Sequence, residues 1–171
     1  MKIEDDFLDQ REFDKLQTEI MGDTFAWFYL PAIDYLDENV DKFQFVHEFY
    51  FSYVPTSPAI KIINPLINKI NPSILGKIKA NLLTRTPNIV ENEFHVDLGG
   101  MSKEKQKHWT TSIFYMNANN GYTKFEDGTK VESVANRMVT FPSNLKHTGT
   151  SCTDEKTRVV INFNYFSKYF K

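Results

Sequence analysis

Eight short strand patterns follow one another from residue 76 to residue 166, and no helical pattern separates them. Each is a run of β-branched and aromatic residues bounded by turn residues such as Asn119-Asn120-Gly121 and Glu126-Asp127-Gly128. Parallel strands need long crossover connections, usually helices, so this series predicts an antiparallel sandwich or barrel, and a jelly roll fits best. The predicted strands span residues 77–84, 93–97, 108–117, 122–126, 130–134, 137–142, 147–152 and 157–166.

The first 75 residues carry a different pattern. Apolar residues at helical spacing, followed by Gly22, predict an amphipathic helix over 9–22. A second helix is predicted over 59–70, kinked at Pro65 because proline fits only the first turn of a restarted helix. Aromatic runs predict strands at 25–30 and 43–51.

Length and composition define the class of protein. A chain of 171 residues fits one domain, which we expect to consist of a helical and strand support region over 1–75 and a jelly-roll core over 76–171. The fold class is therefore mainly β with flanking helices. Apolar residues make up 41% of the chain and charged residues 25%, as in globular proteins, which excludes a disordered chain.

Charge and cysteine content exclude several functions. The net charge of −2 provides no basic excess for a phosphate backbone, so general nucleic-acid binding is not expected. Cys152 is the single cysteine, and the acidic start of the chain lacks the apolar run of a signal peptide. No stretch approaches the roughly 18 apolar residues of a membrane span. These features predict a cytoplasmic protein that does not enter a membrane.

Three residues have the chemistry of metal ligands. His95 and Asp97 are two residues apart on a predicted strand, so both side chains would point to one face. His147 begins a later strand and offers a third ligand. Two histidines and one carboxylate on one side of an ion leave positions open, as in non-haem Fe(II) oxygenases, whereas zinc prefers a tetrahedral site. Taken alone, the His95–Asp97 pair equally describes an ion pair on the surface of a strand.

The last strand has an unusual polar face. Strand alternation places Arg158, Asn162 and Asn164 on one side with Val160, and apolar residues on the other. If the polar face lines a cavity, Arg158 is the natural partner of a carboxylate because its planar guanidinium forms two-pronged, charge-assisted pairs. On the strand over 108–117, Tyr115 would supply a second hydrogen bond.

From about Lys79 to Tyr165 the chain resembles the 2-oxoglutarate- and Fe(II)-dependent dioxygenases of the prolyl-4-hydroxylase-like branch. The matching blocks occur in the same order in the sequence, and the chain as a whole is similar to compact, stand-alone members encoded by bacteriophages. The blocks are His95-Val96-Asp97, the strand Thr111 to Asn117, the turn and strand Asn120 to Phe125, the run Asn136 to Pro142, His147, and Arg158 eleven residues later.

The resemblance implies a double-stranded β-helix of cupin-like form and a role for each matched residue. His95, Asp97 and His147 would bind Fe(II), Arg158 would hold the distal carboxylate of 2-oxoglutarate, and Tyr115 would assist it. Thr123 and Asn162 would line the cosubstrate pocket. The metal centre would perform the chemistry with O2, and no separate acid or base is assigned.

The implied reaction is hydroxylation of a C–H bond with release of succinate and CO2. The substrate would be a peptidyl prolyl group or a small molecule. A non-catalytic jelly-roll binding module that retains a metal site is the alternative function. A zinc hydrolase ranks last, because no separate general base has motif support. The charged run 103–107 is interpreted as a solvated loop, with a lid over the site as the alternative.

Overall fold

The computed structural model describes residues 1–33 and 42–167, and its central feature is a pair of antiparallel sheets. The larger sheet has eight strands in the order β1-β9-β6-β11-β5-β3-β2, with β4 paired to β3, and the smaller has the order β10-β7-β8. The strands are β1 (Lys2–Glu4), β2 (Phe28–Leu30), β3 (Gln44–Phe51), β4 (Val54–Pro55), β5 (Ile74–Thr84), β6 (Thr110–Tyr115), β7 (Tyr122–Phe125), β8 (Lys130–Glu132), β9 (Arg137–Pro142), β10 (His147–Gly149) and β11 (Thr157–Phe166).

The large sheet has apolar contacts on both faces. On β11, the face containing Ile161 and Phe163 packs into a core shared with the helices. The opposite face contributes Val160 to a second core between the two sheets, which also contains Phe125 from the small sheet. Alternation along one strand therefore supplies two cores at once, because neighbouring side chains of a strand point to opposite faces. This arrangement confirms the predicted mainly β fold with flanking helices.

The helices begin and end where local chemistry favours it. The α1 helix (Gln10–Ile20) is capped by Asp9, whose carboxylate accepts a hydrogen bond from the Glu12 amide at 3.0 Å. The second predicted helix is a 3-10 helix (Pro58–Ile63) that continues as α2 (Asn64–Ile70), with Pro65 in the first turn of the α-helical part. A third helix, α3 (Lys103–Gln106), lies in the charged run that the sequence analysis interpreted as a loop.

One predicted strand is not a strand. Residues 93–97 form a single isolated bridge, in which the backbone of His95 exchanges two hydrogen bonds of 3.0 Å with that of His147. Nearby, both the backbone amide and the side-chain amide of Asn92 bond to the carbonyl oxygen of Gly149. A regular ladder does not continue through this double contact, so the segment lies irregularly beside β10, the edge strand of the small sheet.

The N-terminal region is joined to the sheets. Strand β1, which the sequence analysis did not predict, pairs with β9, and β3 pairs with β5. Asn136 precedes β9 with a positive φ of 61°, and its side chain bonds to both the amide and the carbonyl oxygen of Leu8 at 2.9 and 2.8 Å.

Replacing Asn136 with alanine should destabilise the fold by about 3 kcal/mol. The substitution leaves two buried backbone groups of Leu8 without partners, at roughly 1–3 kcal/mol each, and puts alanine in a left-handed backbone that asparagine tolerates better. Urea unfolding measures the loss. Asn136→Gly lacks the same hydrogen bonds but accepts the positive φ, so it should lose about 1 kcal/mol less. A free energy of unfolding equal to wild type in Asn136→Ala would show that this link does not stabilise the protein.

Candidate functional site

The structure brings His95, Asp97 and His147 together at one end of the space between the sheets. Each offers one ligand-type atom, and these three atoms lie within 4.8 Å of one another. The Nε2 atoms of His95 and His147 are each 3.8 Å from Oδ1 of Asp97. The two histidines meet through their backbone bridge rather than through a continuous strand. The spacing of donors suits a single ion at their centre.

Backbone carbonyls orient both imidazole rings. Nδ1 of His95 lies 3.1 Å from the carbonyl oxygen of Glu93, and Nδ1 of His147 lies 3.2 Å from that of Leu145. A carbonyl oxygen only accepts, so in each neutral ring the proton sits on Nδ1 and the lone pair on Nε2. Nε2 is therefore the ligand-type atom of both residues, and each ring has the outer hydrogen bond typical of metal-binding histidines.

The third group, Asp97, is held as a carboxylate. Burial acts to raise the pKa of Asp97, but the positive charge of His147 and His95 in their protonated forms, a hydrogen bond from Asn164 and the charge of Lys79 outweigh it and hold the pKa below its ordinary value. His147 is only 2% exposed, and the Asp97 side chain 11%. Although the His95 side chain is 34% exposed, the burial of Asp97 and His147 does not fit the interpretation as an ion pair on a strand surface.

Arg158 lies in the same cavity, and its guanidinium is buried without an acidic partner. The residue is 3% exposed, and no carboxylate among residues 1–33 and 42–167 pairs with it. Burial lowers the pKa of Arg158 below its ordinary value, yet a guanidinium remains charged in proteins. A buried cation is costly without a counter-charge. An anionic ligand in the cavity would supply that counter-charge.

Two hydroxyls hold the Arg158 side chain in place. Nε donates to Oγ of Ser133 at 2.9 Å, and Nη2 donates to Oγ1 of Thr123 at 3.2 Å. Nη1 donates to no described residue. A Cβ at Gly121 would lie 2.6 Å from Cδ of Arg158 and 2.7 Å from the carbonyl oxygen of Ser151, so the arginine stem passes where only glycine leaves room.

Tyr115 supports the contact between Arg158 and Thr123. Its hydroxyl donates to Oγ1 of Thr123 at 2.8 Å, and burial raises the pKa of Tyr115, which keeps the phenol protonated. The residue is fully buried and does not line the cavity itself. Thr123 thus accepts two hydrogen bonds, from Tyr115 and Arg158, which fill both lone pairs of its oxygen. Its own proton is left to donate elsewhere.

The cavity extends from the triad to Arg158. Thr123, Arg158 and Asn162 line it, as do the three ligand candidates. The buried Oδ1 of Asn162 has no hydrogen-bond partner among the residues that the structure describes. The same space is lined by three polar residues that the sequence patterns did not predict: Lys79, Asn81 and Asn92. The signal for the first two was available, because they share one face of β5 by strand alternation.

Comparison with known proteins identifies the fold. No protein-family model matches the sequence, and a search of curated protein sequences finds no match. The structure is similar to a prolyl hydroxylase of Trichoplax adhaerens, solved in complex with a peptide fragment of the hypoxia inducible factor oxygen degradation domain. The TM-score is 0.66 at 11% identity, over 96% of this chain and 82% of that one.

Two further solved structures have the same architecture. A Pseudomonas putida prolyl-4-hydroxylase gives a TM-score of 0.56 at 13% identity, over 97% of this chain and 92% of the other. SnoN, a non-heme alpha-ketoglutarate-dependent epimerase from nogalamycin biosynthesis, gives 0.66 at 10% identity, over 96% and 75%. At these identities the likeness shows the fold alone. The predicted jelly roll, or double-stranded β-helix, is confirmed.

The helices carry no membrane signal: none within residues 1–33 and 42–167 has the length and apolar character that crossing a bilayer requires.

Proposed function

We propose that the protein is an Fe(II)- and 2-oxoglutarate-dependent dioxygenase that hydroxylates a C–H bond. One observation carries the proposal. A cluster of two histidines and one carboxylate shares a cavity with a buried arginine that has no acidic partner among the described residues. The first group suits a metal and the second suits an anion, and a cosubstrate that chelates iron and carries a distal carboxylate requires both.

The donor set fits iron. Nε2 of His95, Nε2 of His147 and Oδ1 of Asp97 would hold Fe(II) on one side of the ion and leave its other positions open. When bound, the iron supplies the activation of O2 that the protein's own side chains cannot provide. The contribution of the chain is to hold three ligands in fixed orientations and to surround the reacting atoms with a largely buried pocket.

The anion pocket fits the distal carboxylate of 2-oxoglutarate. Arg158 and Thr123 line the cavity, and Nη1 of Arg158 and the remaining proton of Thr123 would donate to the ligand, one of them from a charged group. Tyr115 would assist through Thr123, because its hydrogen bond turns the Thr123 proton toward the ligand. Asn162 lines the pocket between this end and the metal cluster.

The overall reaction converts 2-oxoglutarate, O2 and a substrate C–H group into succinate, CO2 and an alcohol. One oxygen atom enters succinate and the other enters the product. The Trichoplax and Pseudomonas neighbours are prolyl hydroxylases, whereas SnoN is an epimerase, so one fold supports different outcomes. We propose a peptidyl prolyl group or a small molecule as the substrate.

Four further features belong to the same proposal. The chain would form one oxygenase domain over 1–171, with 1–75 as the support region of a core over 76–171. It would belong to the prolyl-4-hydroxylase-like branch, resemble bacteriophage-encoded members and act in the cytoplasm.

Purified protein should convert 2-oxoglutarate to succinate slowly even without substrate. In this uncoupled reaction a reductant such as ascorbate supplies the two electrons and two protons that turn the second oxygen atom into water. Succinate and CO2 should form in equal amounts, and only with Fe(II) and O2 present. Chromatography of succinate, with metal-free and anaerobic samples as controls, measures the rate. Folded, Fe(II)-loaded protein that forms no succinate above these controls would favour the non-catalytic binding module.

A further inference from the structure

Asn164 lies directly behind the carboxylate of the proposed metal site. It is 1% exposed and follows Asn162 on the cavity-facing side of β11. Its Nδ2 donates to Oδ2 of Asp97 at 3.0 Å. A carboxylate only accepts, so the nitrogen of the amide must face Asp97. The other oxygen, Oδ1, is the atom that faces the two histidines.

The same amide is fixed from its other side. Nδ2 of Asn164 also donates to Oγ1 of Thr111 at 3.0 Å, so both of its protons are used. Thr111 is fully buried on β6, opposite Asn164 in the strand register. Its hydroxyl shares a hydrogen bond of 2.9 Å with Oγ of Ser143, which begins the turn that leads to His147. This buried chain of hydrogen bonds joins the Asp97 carboxylate to the turn that carries the third ligand.

We infer that Asn164, held by Thr111, is a positioning residue that fixes which oxygen of Asp97 faces the metal. The inference rests on the proposed function, because it needs a metal ion among His95, Asp97 and His147. A carboxylate with one oxygen tied down presents the other in a single orientation, which lowers the entropic cost of metal binding. Without the amide, the Asp97 side chain would rotate and both oxygens would compete for the ion.

Isosteric substitutions test the inference. Asn164→Leu keeps the size of the side chain but removes both donors, and it should weaken Mn(II) binding by about 10–100-fold, the usual effect of losing an outer hydrogen bond to a metal ligand. Thr111→Val should cause a smaller loss in the same direction. Anaerobic titration followed by the electron paramagnetic resonance of free Mn(II) measures both affinities.

Thr140→Val is the matched control. Thr140 is a buried threonine of the same sheet, and its hydroxyl bonds to Oγ of Ser112 at 2.8 Å on the face away from the cavity. Both changes replace a buried hydroxyl with a methyl group, but Thr111→Val removes two of the hydrogen bonds described above and Thr140→Val removes one, so Thr140→Val should lose somewhat less stability. Only Thr111→Val should lose metal affinity, because only Thr111 is linked to Asp97.

A spectroscopic readout separates positioning from a general structural role. The visible absorption of bound Co(II) reports the geometry of its ligands, so it should shift in Asn164→Leu and Thr111→Val and stay unchanged in Thr140→Val. The inference would be overturned if Asn164→Leu had wild-type Mn(II) affinity and an unchanged Co(II) spectrum, and the proposed function would then remain intact. If Asn164→Leu does not fold, the same result in Thr111→Val would overturn the inference. Wild-type protein that binds no metal would overturn both.

Discussion

Replacing His147 with alanine is expected to remove most of the Fe(II) bound by the protein. The change deletes one of three proposed ligands, so the loss of affinity should exceed the roughly 10–100-fold that accompanies loss of an outer partner. Elemental analysis after anaerobic loading measures the metal content. Asp97→Ala should have a similar effect, because it removes the charged ligand and leaves two neutral imidazoles.

His108→Ala is the control for this experiment. His108 is exposed and lies outside the metal cluster, so its loss removes one imidazole without touching the proposed site. Since His147 packs against Phe141 at a ring distance of 4.9 Å, thermal unfolding should accompany the metal measurement. A folded His147→Ala protein with wild-type metal content would exclude the assigned site.

Arg158→Ala should weaken 2-oxoglutarate binding by at least about a hundredfold while leaving Fe(II) affinity near that of wild type. A buried carboxylate without its charged partner costs about 3–5 kcal/mol, and about 1.4 kcal/mol corresponds to each factor of ten. Lysine at this position keeps the charge but lacks the planar guanidinium, so Arg158→Lys should be intermediate. Anaerobic titration of 2-oxoglutarate into Fe(II)-loaded protein, followed by its visible charge-transfer absorption, measures the affinity.

Arg137→Ala is the matched control, since it removes an arginine that already has an acidic partner. The Nε atom of Arg137 lies 2.6 Å from Oδ1 of Asp5, and Arg137 does not line the described cavity. Its loss changes the net charge as Arg158→Ala does and should leave 2-oxoglutarate affinity unchanged. If Arg158→Ala bound 2-oxoglutarate as tightly as wild type, Arg158 would not bind the cosubstrate, and the proposed anion pocket would be wrong.

Patterns of period two predicted much of the fold. The alternation along β11 predicted correctly which side chains lie on each face of the strand. A strand between two apolar layers must direct alternate side chains into opposite layers. Strand β1 escaped prediction because three residues are too few to show a period. The prediction of a strand at 93–97 was wrong because a single bridge and the double contact of Asn92 replace the ladder there. Both depend on β10, more than fifty residues later in the sequence.

The sequence predicted the residues of the candidate site but not the residues that hold them in position. His95, Asp97, His147 and Arg158 carry chemistry that is visible in sequence, and the fold brings them into one cavity. The positions of Asn164 and Thr111 as supports for Asp97 follow from strand register, which places residues 53 positions apart opposite each other. No local pattern encodes such a contact. The same holds for Tyr115, whose contact with the cavity is indirect, through Thr123.

A crystal structure of the protein soaked anaerobically with Mn(II) and 2-oxoglutarate tests the central claim most directly. Anomalous scattering should show one Mn(II) ion bound by Nε2 of His95, Nε2 of His147 and a carboxylate oxygen of Asp97. The distal carboxylate of 2-oxoglutarate should pair with the guanidinium of Arg158. Metal-saturated protein whose Mn(II) lies elsewhere, or whose 2-oxoglutarate does not reach Arg158, would contradict the proposed site.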